Sequence, residues 1–344
     1  GLTATAPAAI NAAGTVNTSN TAMSLGDSNT ALTLTADVAL NTAGGSLTLG
    51  GAVNGTTANT ESLSLNAGTT GAVSVTGAVG QTTSLKTLTL TNSNGATFNS
   101  AVTTGTSVLL SDTVAGQTIR FADNLSTPVL TTTAHGYHLE LLGTATNVSA
   151  ANTTTTFLNT GNLVLGNAAG DTLTFAGGLT ATAPAAINAA GTLGTTNAAI
   201  VLGTAPVTLT GNTTVNAGSG MITLGGTVNG GYSLALNSTG VTTLDAAVGD
   251  SVPLSSMTTN IGGTLVIQGG RITTTGAQHF AELVLLDHAT ATVLSTTNSP
   301  VTFDKAIVNA NATAQNLTIH AGTGHVTFTG VVGEDSNGAN GALG

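Results

Sequence analysis

Apolar and polar residues alternate along this chain in short words. Leu32-Thr33-Leu34, Leu47-Thr48-Leu49, Leu63-Ser64-Leu65, Val73-Ser74-Val75 and Leu88-Thr89-Leu90 each read apolar, polar, apolar. The word returns at Leu173-Thr174-Phe175, Val207-Thr208-Leu209, Ile222-Thr223-Leu224, Val301-Thr302-Phe303 and Val326-Thr327-Phe328. Leu163-Val164-Leu165 and Leu234-Ala235-Leu236 keep the spacing with a different middle residue. A period of two sends successive side chains to opposite faces of an extended backbone, so each word predicts a strand of about three to five residues. The Gly and Asn between words predict turns, most strongly at Asn54-Gly55, Asn94-Gly95, Asn229-Gly230 and Asn337-Gly338. The Ala-rich stretch 180–191 is spoiled as a helix by Pro184 and its threonines. The chain reads as all-β.

Longer words repeat as well. The fifteen residues GLTATAPAAINAAGT, from Gly1 to Thr15, return unchanged from Gly178 to Thr192. LTLGGAVNG, from Leu47 to Gly55, returns as ITLGGTVNG from Ile222 to Gly230. The segments Leu63 to Gly80, Leu234 to Gly249 and Leu317 to Gly333 share one plan: strand, Gly-containing turn, strand and a Val-Gly corner. A short period of roughly 16 to 25 residues is thus superposed on a long one. Sandwiches need longer strands, and propeller blades a fixed aromatic signature. The pattern predicts a parallel β-helix, a β-solenoid of roughly 14 to 18 short coils with two or three strands each. Residues 1–177 form the first long repeat, and 178–344 a second, continuous with it. Each coil of a solenoid touches mainly its two neighbours, so a group of coils can be copied without disturbing the rest.

Composition narrows the function classes. Only 5% of residues are charged and 3% aromatic, and the net charge is −10. The four bases Lys86, Arg120, Arg271 and Lys305 lie far apart, too few to neutralise a phosphate backbone, so no nucleic-acid partner is expected. Mean hydropathy is +0.34, yet apolar runs stay short and no membrane insertion is expected. Sparse charge and abundant Val, Ile and Thr argue against disorder. Without cysteine there are no disulfides or thiolate sites. A long, cysteine-free, Lys-poor chain suits a secreted surface protein. The first residues lack the basic and apolar regions of a signal peptide, which is the expectation for a processed chain or a segment of a longer one.

The modules GGAVNG, LTLT, GAVG and GRITTTGAQHF (Gly270 to Phe280) resemble the β-strand repeats of giant bacterial adhesins. These are the filamentous-haemagglutinin-like proteins of two-partner secretion and related autotransporter passengers. The resemblance covers essentially the whole chain and is compositional. It implies a right-handed parallel β-helix, an extracellular or bacterial cell-surface location, and a fibre-forming or adhesive role. The Asn-Pro motifs of that family's secretion domain are absent, as is a C-terminal barrel, which suits a middle segment or a self-assembling subunit.

Chemistry-bearing residues are few. The densest stretch is HGYHLE, in which His135, His138 and Glu140 are weak metal-ligand candidates. On a strand, 138 and 140 share a face while 135 and 138 do not. With Tyr137, these residues also make a candidate adhesive loop inside 125–157, where the apolar words turn irregular. Asp245, Asp250 and Asp287, the last beside His288, are the carboxylates closest to a β-helix hydrolase pattern. His320 and His325 flank a turn. Asn-x-Ser/Thr sequons occur at Asn17, Asn54, Asn124, Asn147, Asn152, Asn212, Asn237, Asn311 and Asn316, most of them attributable to abundant Thr. No catalytic set and no cofactor are expected. The leading functional expectation is a structural extracellular fibre segment or subunit, stacking end to end on like copies or continuing a longer chain. The alternatives are an adhesin stalk binding glycans or cell surfaces and, last, a polysaccharide-active enzyme.

Overall fold

The computed structural model describes residues 1–310 and 315–335. Among them there is no helix, and parallel sheets stack as a β-solenoid of about 14 turns, at the lower end of the expected range. The chain divides into two compact units. The first comprises Gly1–Gly166, Asp171–Phe175 and Ala183–Ala185; the second comprises Asn167–Gly170, Ala176–Thr182 and Ala186–Gly344.

In the first unit, the strands Leu2–Ala4, Met23–Leu25, Leu47–Leu49, Val73–Val75, Ala96–Phe98, Thr118–Phe121, His138–Leu141 and Leu163–Leu165 pair in parallel, each with the next. Leu2, Met23, Leu47, Val73 and Ala96 share one register column, so these coils take 21 to 26 residues. A second column runs through Ile10, Leu32, Val53, Val79, Val102 and Leu125. A third runs through Val16, Leu40, Leu65, Leu90 and Leu110. Three columns of aliphatic side chains thus line each coil's interior, while the middle residue of each word faces out, as in the buried–intermediate–buried pattern of Leu47–Leu49.

The second unit repeats the scheme. Leu179, Ile200, Ile222, Thr242, Leu265, Val284 and Ile307 form one column. Thr213, Leu234, Met257, Gln278, Val301 and Val326 form another. Register brings like rings together. Phe98 stacks on Phe121 at 4.7 Å and 7° in the first unit. Phe280, Phe303 and Phe328 make a ladder in the second, with both centroid spacings 5.1 Å.

Two of the four predicted turn dipeptides are not turns. Val53–Gly55 and Val228–Asn229 are strands, and the chain bends after them. The asparagines serve the corner of the following coil instead. Asn54 Oδ1 accepts from the amides of Thr82 (3.0 Å) and Thr83 (3.2 Å). Asn229 Oδ1 accepts from Ser251 (3.0 Å) and Val252 (3.2 Å) in the same way. Asn94-Gly95 does turn, with Gly95 at φ 93°, and Asn337-Gly338 lies outside the described residues. Asn229→Ala and Asn54→Ala are expected to lower stability by about 1 kcal/mol each, the net worth of such a bond pair at a half-exposed corner. Urea unfolding checks this; Asn229→Asp, which keeps the acceptor, retains most of the stability.

Candidate functional site

The irregular stretch 125–157 does not form an inserted loop. It contains the strands Leu125–Thr127, Val129–Thr132, His138–Leu141, Ala145–Val148 and Thr155–Thr156. The first four are in register with earlier coils. Its apolar words break because threonines take inward positions: Thr127, Thr132, Thr146 and Thr155 are all buried. The hydroxyls of Thr127 and Thr132 find partners within the stack. Thr104 Oγ1 donates to Thr127 Oγ1 at 2.8 Å, and Thr127 Oγ1 donates to Val129 O at 3.0 Å.

HGYHLE spans a bend and a strand. Tyr137, the aromatic of the expected adhesive loop, is 0% exposed and faces inward. Its hydroxyl donates to Leu110 O at 3.2 Å and accepts from the Thr133 amide at 3.2 Å. Burial raises the phenol's pKa above its usual value. Tyr137 therefore contributes nothing to an outer contact surface. His135 sits in the bend, with Nδ1 3.4 Å from Asp112 Oδ1. The strand begins at His138, so His138 and Glu140 share the outer face as expected. His138 Nδ1 accepts from the Asn162 amide at 2.7 Å, which leaves the ring proton on Nε2. Glu140 Oε2 is 2.6 Å from Arg120 Nε, its register neighbour one coil before. Each candidate ligand thus has a different partner, and among the described residues no three His, Asp or Glu side chains converge on a metal position.

The carboxylates are equally dispersed. Leu244 pairs with Ile267 and Ile267 with Leu286, so Asp245, Gln268 and Asp287 follow one another in register on successive coils. Gln268, not a second acid, stands beside Asp287 and donates to its Oδ2 at 2.8 Å. His288 Nδ1 is 2.5 Å from Gln268 O. Asp250 Oδ1 lies 3.3 Å from Arg271 Nε. His320 ends one strand and His325 precedes the next, both exposed. Two open grooves, of about 250 and 330 Å³, are lined by hydroxyls, amides and aliphatics. Asp37 in the first is engaged by the Ser62 amide at 2.8 Å.

Three acids that the sequence did not single out are buried: Glu61, Asp171 and Glu282. Glu61 is held in a corner by the Thr56 hydroxyl (2.5 Å), the Thr60 hydroxyl (3.0 Å) and the Thr57 amide (3.3 Å). The Thr56 bond leads the effects that hold its pKa below the usual carboxylate value. Glu282 is the opposite case. It is 1% exposed, and neither carboxyl oxygen makes a hydrogen bond of good geometry, although the Thr259 hydroxyl lies close enough to donate. Burial pushes its pKa up to about 7, opposed only by the neighbouring Thr259 hydroxyl. In sequence it is simply the residue before the word Leu283-Val284-Leu285-Leu286, and nothing there marks it as interior.

No family model, no curated protein and no solved structure matches this chain.

Proposed function

We propose that this chain is a non-catalytic structural section of an extracellular fibre at a bacterial surface, joined to like copies end to end. The observation that carries the proposal is the coil-to-coil parallel register within each unit. Side chains there are spent on stacking: aliphatic columns and ring ladders inside, Thr, Ser and Asn outside. The ionisable groups around HGYHLE and Asp245 are paired or dispersed along the coils and do not gather at a cleft. End-to-end joining is supported by the Phe280–Phe303–Phe328 ladder, whose last ring is 40% exposed and presents a face on which a further coil can stack.

Negative-stain electron microscopy of the purified chain, with its intact mass measured alongside, tests this. Filaments built from chains near 33 kDa are expected. Single particles at every concentration would overturn end-to-end joining. The adhesive reading has weaker support, because 125–157 is built into the coils and both its aromatic residues, Tyr137 and Phe157, are buried.

A further inference from the structure

Glu282 belongs to a corner built from three consecutive coils. Val241 pairs with Thr264 and Thr264 with Leu283, which places Gly240, Gly263 and Glu282 in one column ahead of these strands. The Glu282 side chain turns back over Gly263. A Cβ added to Gly263 would lie 2.4 Å from Glu282 Oε2, 2.6 Å from Ser238 O and 2.7 Å from Gly240 O. A carboxyl oxygen and two main-chain carbonyl oxygens therefore crowd one point, all of them acceptors. The amides around them are committed elsewhere. Ser238 N donates to Asn260 Oδ1 at 2.8 Å, Gly240 N to Ser238 Oγ at 2.8 Å, and Ala281 N to Thr259 Oγ1 at 3.2 Å.

No positive charge offsets this crowding. The strands packed around the corner, Ser233–Ser238, Val241–Leu244, Ser256–Thr259, Thr264–Ile267 and Leu283–Leu286, carry no ionisable side chain. The next coil places Lys305 opposite Glu282 in register, but Lys305 is exposed. An ionised carboxylate would then crowd two carbonyl oxygens with no counter-charge and only the Thr259 hydroxyl to offset it, a costly arrangement. A proton on Glu282 converts one acceptor into a donor and removes the conflict.

We propose that Glu282 is a proton-operated latch: as a carboxylic acid it closes over Gly263 onto the Ser238 and Gly240 carbonyls, and on losing its proton it leaves the interior and opens this corner. The upward shift of its pKa to about 7 accords with the geometry. The sign follows from linkage. The closed corner binds the proton more tightly than the open one, where the carboxyl has its ordinary value of 4.5. The latch is therefore fully set below that value, and its stabilisation is lost as pH rises through about 7.

Site-resolved amide hydrogen exchange on the full chain tests it, with rates corrected for the intrinsic pH dependence. The probes are Ser238 N, Ala281 N and Thr264 N, the last of which donates to Gly240 O at 3.1 Å. Their opening constants are expected to rise by up to about tenfold per pH unit between 5 and 7 and then level off. Reference amides in the first unit, such as Met23 and Leu47, should stay flat. Glu282→Gln, neutral at every pH, should abolish the rise; it also separates Glu282 from the neighbouring His279–Asp304 pair, 2.8 Å apart. The same rise in the variant, or a flat wild-type profile at the corner, would overturn the latch. If the variant does not fold, the wild-type contrast between corner and reference amides still decides.

Discussion

Phe303→Ala is expected to destabilise the second unit by about 3–5 kcal/mol, the range for truncating a fully buried aromatic ring. Phe303 is completely buried between two rings, with Phe280 5.1 Å away at 21° and Phe328 5.1 Å away at 5°. Removing the middle ring breaks both stacks and leaves a void spanning three coils. The void cannot collapse readily, because the flanking residues are fixed by backbone pairing: Gln278 to Val301, Phe280 to Phe303 and Phe303 to Phe328 are register partners. A coil can close the gap only by breaking its ladder with the next. Denaturant unfolding followed by circular dichroism reads the loss, and hydrogen exchange reads its reach. Since coupling passes from neighbour to neighbour, amides of 278–280, 301–303 and 326–328 should lose protection before the first unit does. Thr302→Ala, on the outer face of the same strand, is the control and should cost well under 1 kcal/mol. A loss that small for Phe303 would mean that the ring ladder follows from the register without supporting it.

That ladder also shows how much of the fold was legible. Each apolar–polar–apolar word named in the sequence lies within a strand of the described residues, because in a coil interior one side chain deep a period of two directly reports inside and outside. Reading fails where a polar residue takes the inside position. Thr127, Thr132 and Thr146 look like surface threonines, yet all three are buried, the hydroxyls of Thr127 and Thr132 bonded inside the stack, so 125–157 read as an insertion. Tyr137 falls under the same rule. Its hydroxyl is satisfied by Leu110, 27 positions earlier, a contact that depends on the register between coils and not on nearby sequence. Asn54 and Asn229 were recognisable as special but not for their task, since their partners lie on the next coil. Glu282 had no sequence signal at all. Its burial depends on Gly263 one coil earlier, and only stacking brings the two together. Local pattern thus specifies the strands, whereas chemistry that spans coils needs the register.

The largest backbone effect is expected at the Val-Gly corner. Gly249 has φ +70°, in the left-handed region that disfavours a side chain, and an added Cβ would stand 2.0 Å from Thr273 O on the next coil. Neither partner can retreat freely. Gly249 N donates to Val228 O at 2.7 Å and Thr273 N donates to Val248 O at 2.8 Å, so the corner is bonded to the coils on both sides. Gly249→Ala carries a conformational penalty of about 1–2 kcal/mol. Displacing the Thr273 carbonyl should raise the total to about 3–5 kcal/mol, in the tail reserved for clashes with fixed backbone. Gly14 separates the two contributions: its φ is +71°, but nothing lies within 4 Å of an added Cβ. Gly14→Ala should therefore cost only the conformational part. Equal losses at the two positions, measured by urea unfolding, would mean that the corner yields and that coil spacing there is soft. A loss at Gly249 exceeding that at Gly14 by about 2 kcal/mol or more would place the stiffness in the contact between coils.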